Sequence, residues 1–305
     1  MKLDNDEERR KKRLARFAVN TDTRKATDKI RTNKTDSIIV GCFQTISKPY
    51  MRLTSEPNPE FIRPIHILKK AYETFLNEKI NKEIEYSRFI SEFKSIRQDL
   101  TIQRIRDEFT VKVYESNIEI SIENEDFNEF NQCITQLIPL YSEVKEQAEN
   151  DKRLQFIKYN MIRLIFLKEW DSLIEMFIRY KLNQNEKQIM LEWELFDAKI
   201  VGDYYKLAQT IESISEKNML MGKLLEYYLK NERNNIIRVL ILSYNQLNFE
   251  MLKEKLYFNN IENLGKYLIE NKKYQEFIEK KVLENGKELQ ILNSRKIRLQ
   301  NSDNF

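Results

Sequence analysis

Four of the chain's five prolines, Pro49, Pro57, Pro59 and Pro64, fall inside residues 47–64. Proline removes a backbone donor and cannot occupy a helix interior, so this stretch is an extended connector leading into helices. Only five glycines occur in all 305 residues, 33% of which are charged and 41% apolar. That composition suits long amphipathic helices and predicts a mainly α protein, either one large domain or two smaller ones. An extended segment as long as this is unusual in a compact domain unless it is functional or packed along a surface.

From about residue 65 the apolar residues recur at helical spacing. Phe127, Phe130, Ile134, Leu137 and Tyr141 share one face, as do Trp170, Leu173, Phe177 and Tyr180, and again Tyr204, Leu207 and Ile211. Asp126, Asp171 and Asp203 sit at the expected helix starts, and polar joints such as Asn183-Gln184-Asn185-Glu186 separate the segments. Helix pairs of this kind bury their apolar faces by stacking, which predicts a TPR-like helical solenoid, although no strict sequence period is present.

The pattern changes near residue 236, where three short helical segments (236–247, 249–257 and 261–271) precede two strand-like segments (275–283 and 288–296). Asn285-Gly286 between the last two is the preferred centre of a hairpin turn. Three helices and a terminal hairpin make a winged helix. The expected division is a basic, disordered arm over 1–34, an extended segment over 35–64 packed on the solenoid, the solenoid over 65–235, the winged helix over 236–300 and a tail over 301–305.

Catalytic chemistry finds little support. His66 is the single histidine and lies in the apolar run Pro64-Ile65-His66-Ile67-Leu68. Cys42 and Cys133 are isolated from it and from each other, so no metal-ligand spacing or Cys/His dyad exists. The glycines form no phosphate-cradling loop. No enzyme activity, cofactor or metal is expected. Two cysteines fit a reducing compartment, and the charged N-terminus and lack of an 18-residue apolar run predict neither secretion nor a membrane span.

Charge is distributed unevenly. Residues 1–34 carry a net +6, residues 35–232 a net −6 and residues 233–305 a net +4. The run Arg9-Arg10-Lys11-Lys12-Arg13 reads as a solvated tail, a nucleic-acid contact or a nuclear-import signal. Towards the C-terminus Lys266, Lys272, Lys273, Lys280, Lys281, Lys287, Arg295, Lys296 and Arg298 fall on the third short helix and the proposed wing. Such a cluster neutralises phosphates along one face, or is simply a mixed solvated surface.

Three strings carry a resemblance. Arg52-Leu53-Thr54-Ser55-Glu56-Pro57-Asn58-Pro59 with Arg63-Pro64, then Lys94-Ser95-Ile96-Arg97-Gln98-Asp99-Leu100-Thr101-Ile102-Gln103-Arg104-Ile105, then Glu129-Phe130-Asn131-Gln132-Cys133, resemble motifs of the SAC/GANP family of PCI-type scaffolds. The first string is similar to the branch of yeast Thp-three and leukocyte receptor cluster member eight. The resemblance spans roughly residues 38–300, opening with Val40-Gly41 and Gln44, and departs at Cys42-Phe43 and Ile134. The resemblance leads to the expectation of a long N-terminal extension, reduced here to the short basic arm.

The resemblance implies a non-catalytic nuclear scaffold acting in transcription elongation, splicing and messenger-RNA export. Its implied partners are a second PCI protein, a small acidic Sem/DSS-class subunit, and RNA or DNA bound through the winged helix, with no membrane. The alternative is a PCI subunit of a proteasome-lid, signalosome or translation-initiation assembly whose winged helix only oligomerises. Arg52, Glu56, Arg63, Arg97, Gln98, Asp99, Gln103, Arg104, Glu129, Asn131 and Gln132 are the motif residues for structural or partner-binding roles. Arg97, Thr101 and Arg104 share a helical face. Placed at a helix start, these polar groups either clamp the extended 52–64 segment or contact a partner or RNA. Glu129, Asn131 and Gln132 lie off the apolar stripe, as interhelical joints or as a binding surface.

Overall fold

A computed structural model describes residues 39–52, 56–144, 150–182, 187–258, 260–270, 272–282 and 288–300. The expected arm over 1–34, the joint 183–186, the Asn285-Gly286 turn with Lys287, and the tail over 301–305 lie outside the described residues. The described chain is mainly helical. An extended segment with a short 3-10 turn at Pro59–Phe61 leads into α1 (Ile65–Ile80), α2 (Tyr86–Ile102), α3 (Glu108–Glu123) and α4 (Phe127–Glu143). Then follow α5 (Asn150–Leu167), α6 (Trp170–Tyr180), α7 (Met190–Val201), α8 (Tyr204–Lys217) and α9 (Met219–Ser243).

The apolar periodicity is realised as burial. The α4 stripe of Phe127, Phe130, Ile134, Leu137 and Tyr141 is buried, and Leu173, Leu207 and Ile211 are buried on α6 and α8. Asp126 and Asp203 cap their helices, accepting from the backbone N–H of Glu129 (3.0 Å) and of Lys206 (3.0 Å). Asp171 sits inside the first turn of α6, two residues beyond the cap position at Glu169. α1 to α3 enclose Phe75, Phe89, Phe93 and Val113. A larger core runs from α3 to the first half of α9 through Phe130, Phe156, Tyr159, Leu195 and Leu225.

The turns explain the scarcity of glycine. At six helix ends among the described residues a non-glycine residue takes up the left-handed conformation: Lys82, Arg104, Glu125, Lys168, Lys181 and Tyr257, with φ between 51° and 60°. In each case the next residue's N–H returns to the helix, as from Ile105 to Leu100, Asp126 to Ser121 and Glu169 to Leu164 (2.9–3.0 Å). This is the Schellman closure, which usually employs glycine, as at Gly202 after α7.

The C-terminal unit differs from the expected one: a short strand at 247–248 and a helical turn over 272–275 were not expected, the strand expected over 275–283 covers 278–282, and two further boundaries move. No separate helix spans 236–247: α9 runs unbroken for 25 residues. No proline or glycine falls between Lys223 and Ser243, and buried pairs recur every four residues, Leu224-Leu225, Tyr228-Leu229, Glu232-Arg233, Ile236-Ile237 and Leu240-Ile241, so the buried face winds without a break around the helix. That face belongs to the solenoid-side core as far as Leu229 and to a third core from Ile236 onward. β1 (Leu247–Asn248), α10 (Phe249–Lys255), α11 (Ile261–Glu270), α12 (Lys272–Gln275), β2 (Ile278–Val282) and β3 (Glu288–Leu292) follow. They build an antiparallel sheet of order β1-β3-β2, with Leu247 opposite Leu292 and Lys280 opposite Gln290.

The last strand stops earlier than the expected 288–296. Asn293 accepts from the Lys296 N–H (3.1 Å) and caps α13 (Ser294–Gln300), which buries Ile297. Arg295, Lys296 and Arg298 therefore stand on a helix and not on a wing.

Candidate functional site

Helix α2 carries two different faces. Phe89, Phe93, Ile96 and Leu100 point into the first core, while Glu92, Ser95, Asp99 and Gln103, spaced for one helical stripe, are buried beneath the extended segment. A buried polar stripe needs partners, and the extended segment supplies them.

Asp99, fully buried, accepts from Lys48 Nζ at Oδ1 (2.5 Å) and from Arg63 Nε at Oδ2 (2.7 Å). Arg63, also fully buried, spends its remaining donors on the Ile46 carbonyl (2.8 Å) and Ser95 Oγ (2.7 Å). Glu92 accepts from Ser47 Oγ (2.5 Å) and the Lys48 N–H (3.2 Å). Gln103 accepts from the Gly41 N–H (3.1 Å) and donates to the Arg63 carbonyl (2.8 Å), and Gln98 donates to the Met51 carbonyl (2.6 Å). Lys48 and Arg63 balance Glu92 and Asp99, so the buried cluster is neutral. Gly41 is required for close approach, because a Cβ there would lie 2.2 Å from the Ile62 carbonyl oxygen.

Arg97 looks the other way, onto α4. It donates through Nη2 to Glu129 and through Nη1 to Cys133 Sγ (2.8 Å), and its guanidinium lies 5.6 Å from the Tyr114 ring centroid. Lys94 (3.0 Å) and Asn117 Nδ2 (3.3 Å) complete the surroundings of Glu129. Burial pushes the Cys133 thiol well above its ordinary pKa, with the Arg97 charge opposing and Glu129 reinforcing the shift.

The three strings are thus joined through α2: Arg63 from the first meets Asp99 and Gln103 of the second, and Arg97 of the second meets Glu129 of the third. Two features of the sequence reading need correcting. Arg97 to Gln103 lie in the second half of α2 and not at a helix start, and Arg97 grips α4 and not the extended segment. Of the other motif residues, Arg52, Glu56, Arg104 and Gln132 are exposed, and Asn131 is half-buried, accepting from Tyr228 Oη (3.3 Å). Ser47, Lys48, Glu92 and Ser95 were not singled out by sequence. The signal for two of them was the polar stripe on α2 itself.

The C-terminal cations are organised differently. Lys266 pairs with Glu262 (3.0 Å) and Lys280 with Glu288 (3.7 Å), both pairs exposed, and exposed Lys296 pairs with the half-buried Glu279 (2.6 Å). The hydrogen bonds from Lys296 and then Asn293 hold the Glu279 carboxyl below its ordinary range. Arg298 donates to the carbonyls of Ile241 (2.6 Å) and Leu242 (2.9 Å) and to Asn245 Oδ1 (2.5 Å), fastening α13 to the end of α9. Lys281 and Arg295 are exposed, and the side chains of Lys272 and Lys273, like Lys287 as a whole, lie outside the described residues.

Among the described residues no group of three or more His, Cys, Asp or Glu could hold a metal, and no helix is long and apolar enough to cross a membrane.

Comparison with known proteins adds a family. The model of the SAC3/GANP family matches residues 7–273, a range that begins inside the basic arm and ends before β2, so it is shifted from the expected 38–300. Protein THP3 of Saccharomyces cerevisiae is 31% identical over 277 residues, covering 88% of this chain and 57% of THP3. The THP3 homolog of Schizosaccharomyces pombe is 31% identical over 258 residues, covering 84% and 63%. A leukocyte receptor cluster member 8 homolog of Xenopus laevis is 32% identical over 232 residues, covering 75% and 28%. The chain therefore aligns with less than two thirds of each of these relatives.

Proposed function

The chain belongs to the SAC3/GANP family, and from that premise we propose that it is a non-catalytic nuclear scaffold subunit of a transcription-and-export type complex. The family match over residues 7–273 carries the reading. In it, residues 65–235 form the solenoid, 236–300 a PCI-type winged helix, and 35–64 a strap on the solenoid. The order of helix, short strand, helices and antiparallel hairpin supports the winged-helix assignment. The partners are a second PCI protein and a small acidic Sem/DSS-class subunit, in elongation, splicing and messenger-RNA export.

In this reading nucleic acid is contacted at the C-terminal unit, by Lys266, Lys272, Lys273, Lys281, Lys287 and Arg295. Of these Lys266, like Lys280 and Lys296 outside that set, shares its charge with a glutamate (Glu262, Glu288 and Glu279 in turn), and Arg298 serves mainly inside the unit. That self-pairing favours, as a second reading, a winged helix that only oligomerises within a lid, signalosome or initiation-type assembly.

The test is affinity capture of the tagged protein from its own cells with and without nuclease. A nuclease-resistant PCI protein with a small acidic subunit is expected. Recovery of proteasome-lid or initiation-factor subunits in their place overturns the pathway and leaves the fold.

A further inference from the structure

Between α4, α5 and α6 lies a cleft of about 260 Å3 whose polar groups are poorly matched to one another. Asn160 on its wall is only 6% exposed, yet its Nδ2 donates to the Met176 thioether sulfur (3.3 Å), a weak acceptor. Its Oδ1 receives only a 3.5 Å contact from Arg163 Nη1. Arg163 reaches Glu169 at 3.2 and 3.4 Å, and its Nε, shielded from solvent, has no partner. Across the cleft Pro139 lies inside α4 and has no N–H for the carbonyl of Thr135 one turn back, and both residues are exposed on the cleft wall.

Buried polar groups are almost always satisfied, and an unmet one costs about 1–3 kcal/mol. Asn160 and Arg163 Nε are the shielded, under-bonded groups at this opening, and with the water-exposed Thr135 carbonyl facing them they mark a site completed by something else. The ligand must offer both an acceptor and an N–H donor. It must also be neutral, because Arg163 and Arg179 are already paired with Glu169 and Glu175. Small-molecule sites commonly run from about 300 to 1,000 Å3, so this cleft is too small for a nucleotide and suits one side chain or a short run of backbone.

We propose that the α4–α5–α6 cleft binds an extended peptide segment of a partner protein, which places one amide, main-chain or carboxamide, between Thr135 and the Asn160–Arg163 pair. The inference rests on the scaffold reading only in taking a protein as the ligand.

The experiment is selection of short random peptides against the full chain, followed by titration of the recovered peptides. Ser172, exposed on the cleft rim, is replaced by tryptophan to plug it. Arg163→Lys keeps the charge opposite Glu169 and removes the Nε–H. Expected are peptides whose affinity falls about tenfold in Ser172→Trp and severalfold in Arg163→Lys, with a saturable shift of the Arg163 Nε–H resonance on binding to the unaltered chain. Equal binding to all three proteins overturns the proposal. So does a selection that enriches nothing, the cleft then holding ordered water only. Peptide binding by a chain that captures no second subunit keeps the cleft and removes the scaffold.

Discussion

The segment strapped onto α2 and the C-terminal unit both look charged in sequence, yet they use charge in opposite ways. Under the strap, Lys48, Arg63, Glu92 and Asp99 are all buried and bonded to one another or to backbone. In the C-terminal unit, Lys266, Lys280 and Lys296 are exposed, beside the exposed Glu262 and Glu288 and the half-buried Glu279. Buried ions hold position because neither partner can be removed without stranding the other. Exposed pairs contribute little and are free to exchange partners. The first arrangement specifies architecture, and the second leaves a surface that ligands can compete for.

The sharpest break in that contrast is Asp99→Ala. It strands Lys48 and Arg63 together, and losing one side of a buried pair costs about 3–5 kcal/mol. Urea unfolding should show that loss, and limited proteolysis should cut within residues 39–52. A smaller destabilisation, about 1–3 kcal/mol, is expected for Gly41→Ala, because the added Cβ meets Ile62 backbone that must shift. Wild-type resistance to proteolysis in Asp99→Ala would show that the strap is held by its backbone bonds alone.

Within the C-terminal unit the contrast is repeated between two cations. Arg298→Ala removes donors to three carbonyls, those of Ile241, Leu242 and Tyr244, and to Asn245, and should destabilise the unit by about 1–2 kcal/mol. Lys281→Glu, at an exposed strand position, should leave thermal unfolding unchanged. If the unit binds nucleic acid, it should lower affinity and flatten the salt dependence. An unchanged salt slope together with preserved assembly would favour the purely oligomerising reading.

Much of the helical part was legible because periodicity alone decides it: the Phe127-to-Tyr141 stripe is buried as its spacing requires. The end of α9 was not. A change of partner core at residue 236 leaves no mark on a helix whose face stays continuous, so the change in composition looked like a helix boundary. The α13 start was hidden similarly, since Asn293-Ser294 after an apolar strand reads equally as turn or cap. In the clamp, Asp99, Gln103 and Arg63 were named as motif residues, but Lys48 and Ser47 were not. Lys48 and Ser47 look like ordinary surface residues until the strap lies on α2, and only tertiary pairing gives them a role.

A pH measurement tests whether every buried carboxylate behaves like Asp99. Glu192 on α7 is 2% exposed, faces Lys158 at 3.4 Å and leaves Oε2 without a partner. Burial, opposed by Lys158, pushes its carboxyl above the ordinary range. The folded state then holds this proton more tightly than the unfolded chain does. Its contribution to stability is complete below the ordinary carboxylate pKa and is lost as pH rises through the raised folded value. At neutral pH the charged Glu192 is therefore a cost, and Glu192→Gln should unfold at higher denaturant than the unaltered chain near pH 7, with the advantage gone by about pH 4. A Gln variant that is weaker at neutral pH would show that the Lys158 ion pair outweighs the burial of Glu192.

The smallest expected effect concerns the turns that both regions share. Lys168 closes α5 with φ 59°, a conformation that disfavours a side chain. Lys168→Gly relieves that strain but enlarges the freedom of the unfolded chain, and the two effects partly cancel. A gain of about 0.5 kcal/mol is expected, read as a higher denaturant midpoint at unchanged slope. If the variant is instead destabilised, the lysine side chain contributes more at that turn than its backbone strain costs, and the six non-glycine closures are stabilising choices in their own right.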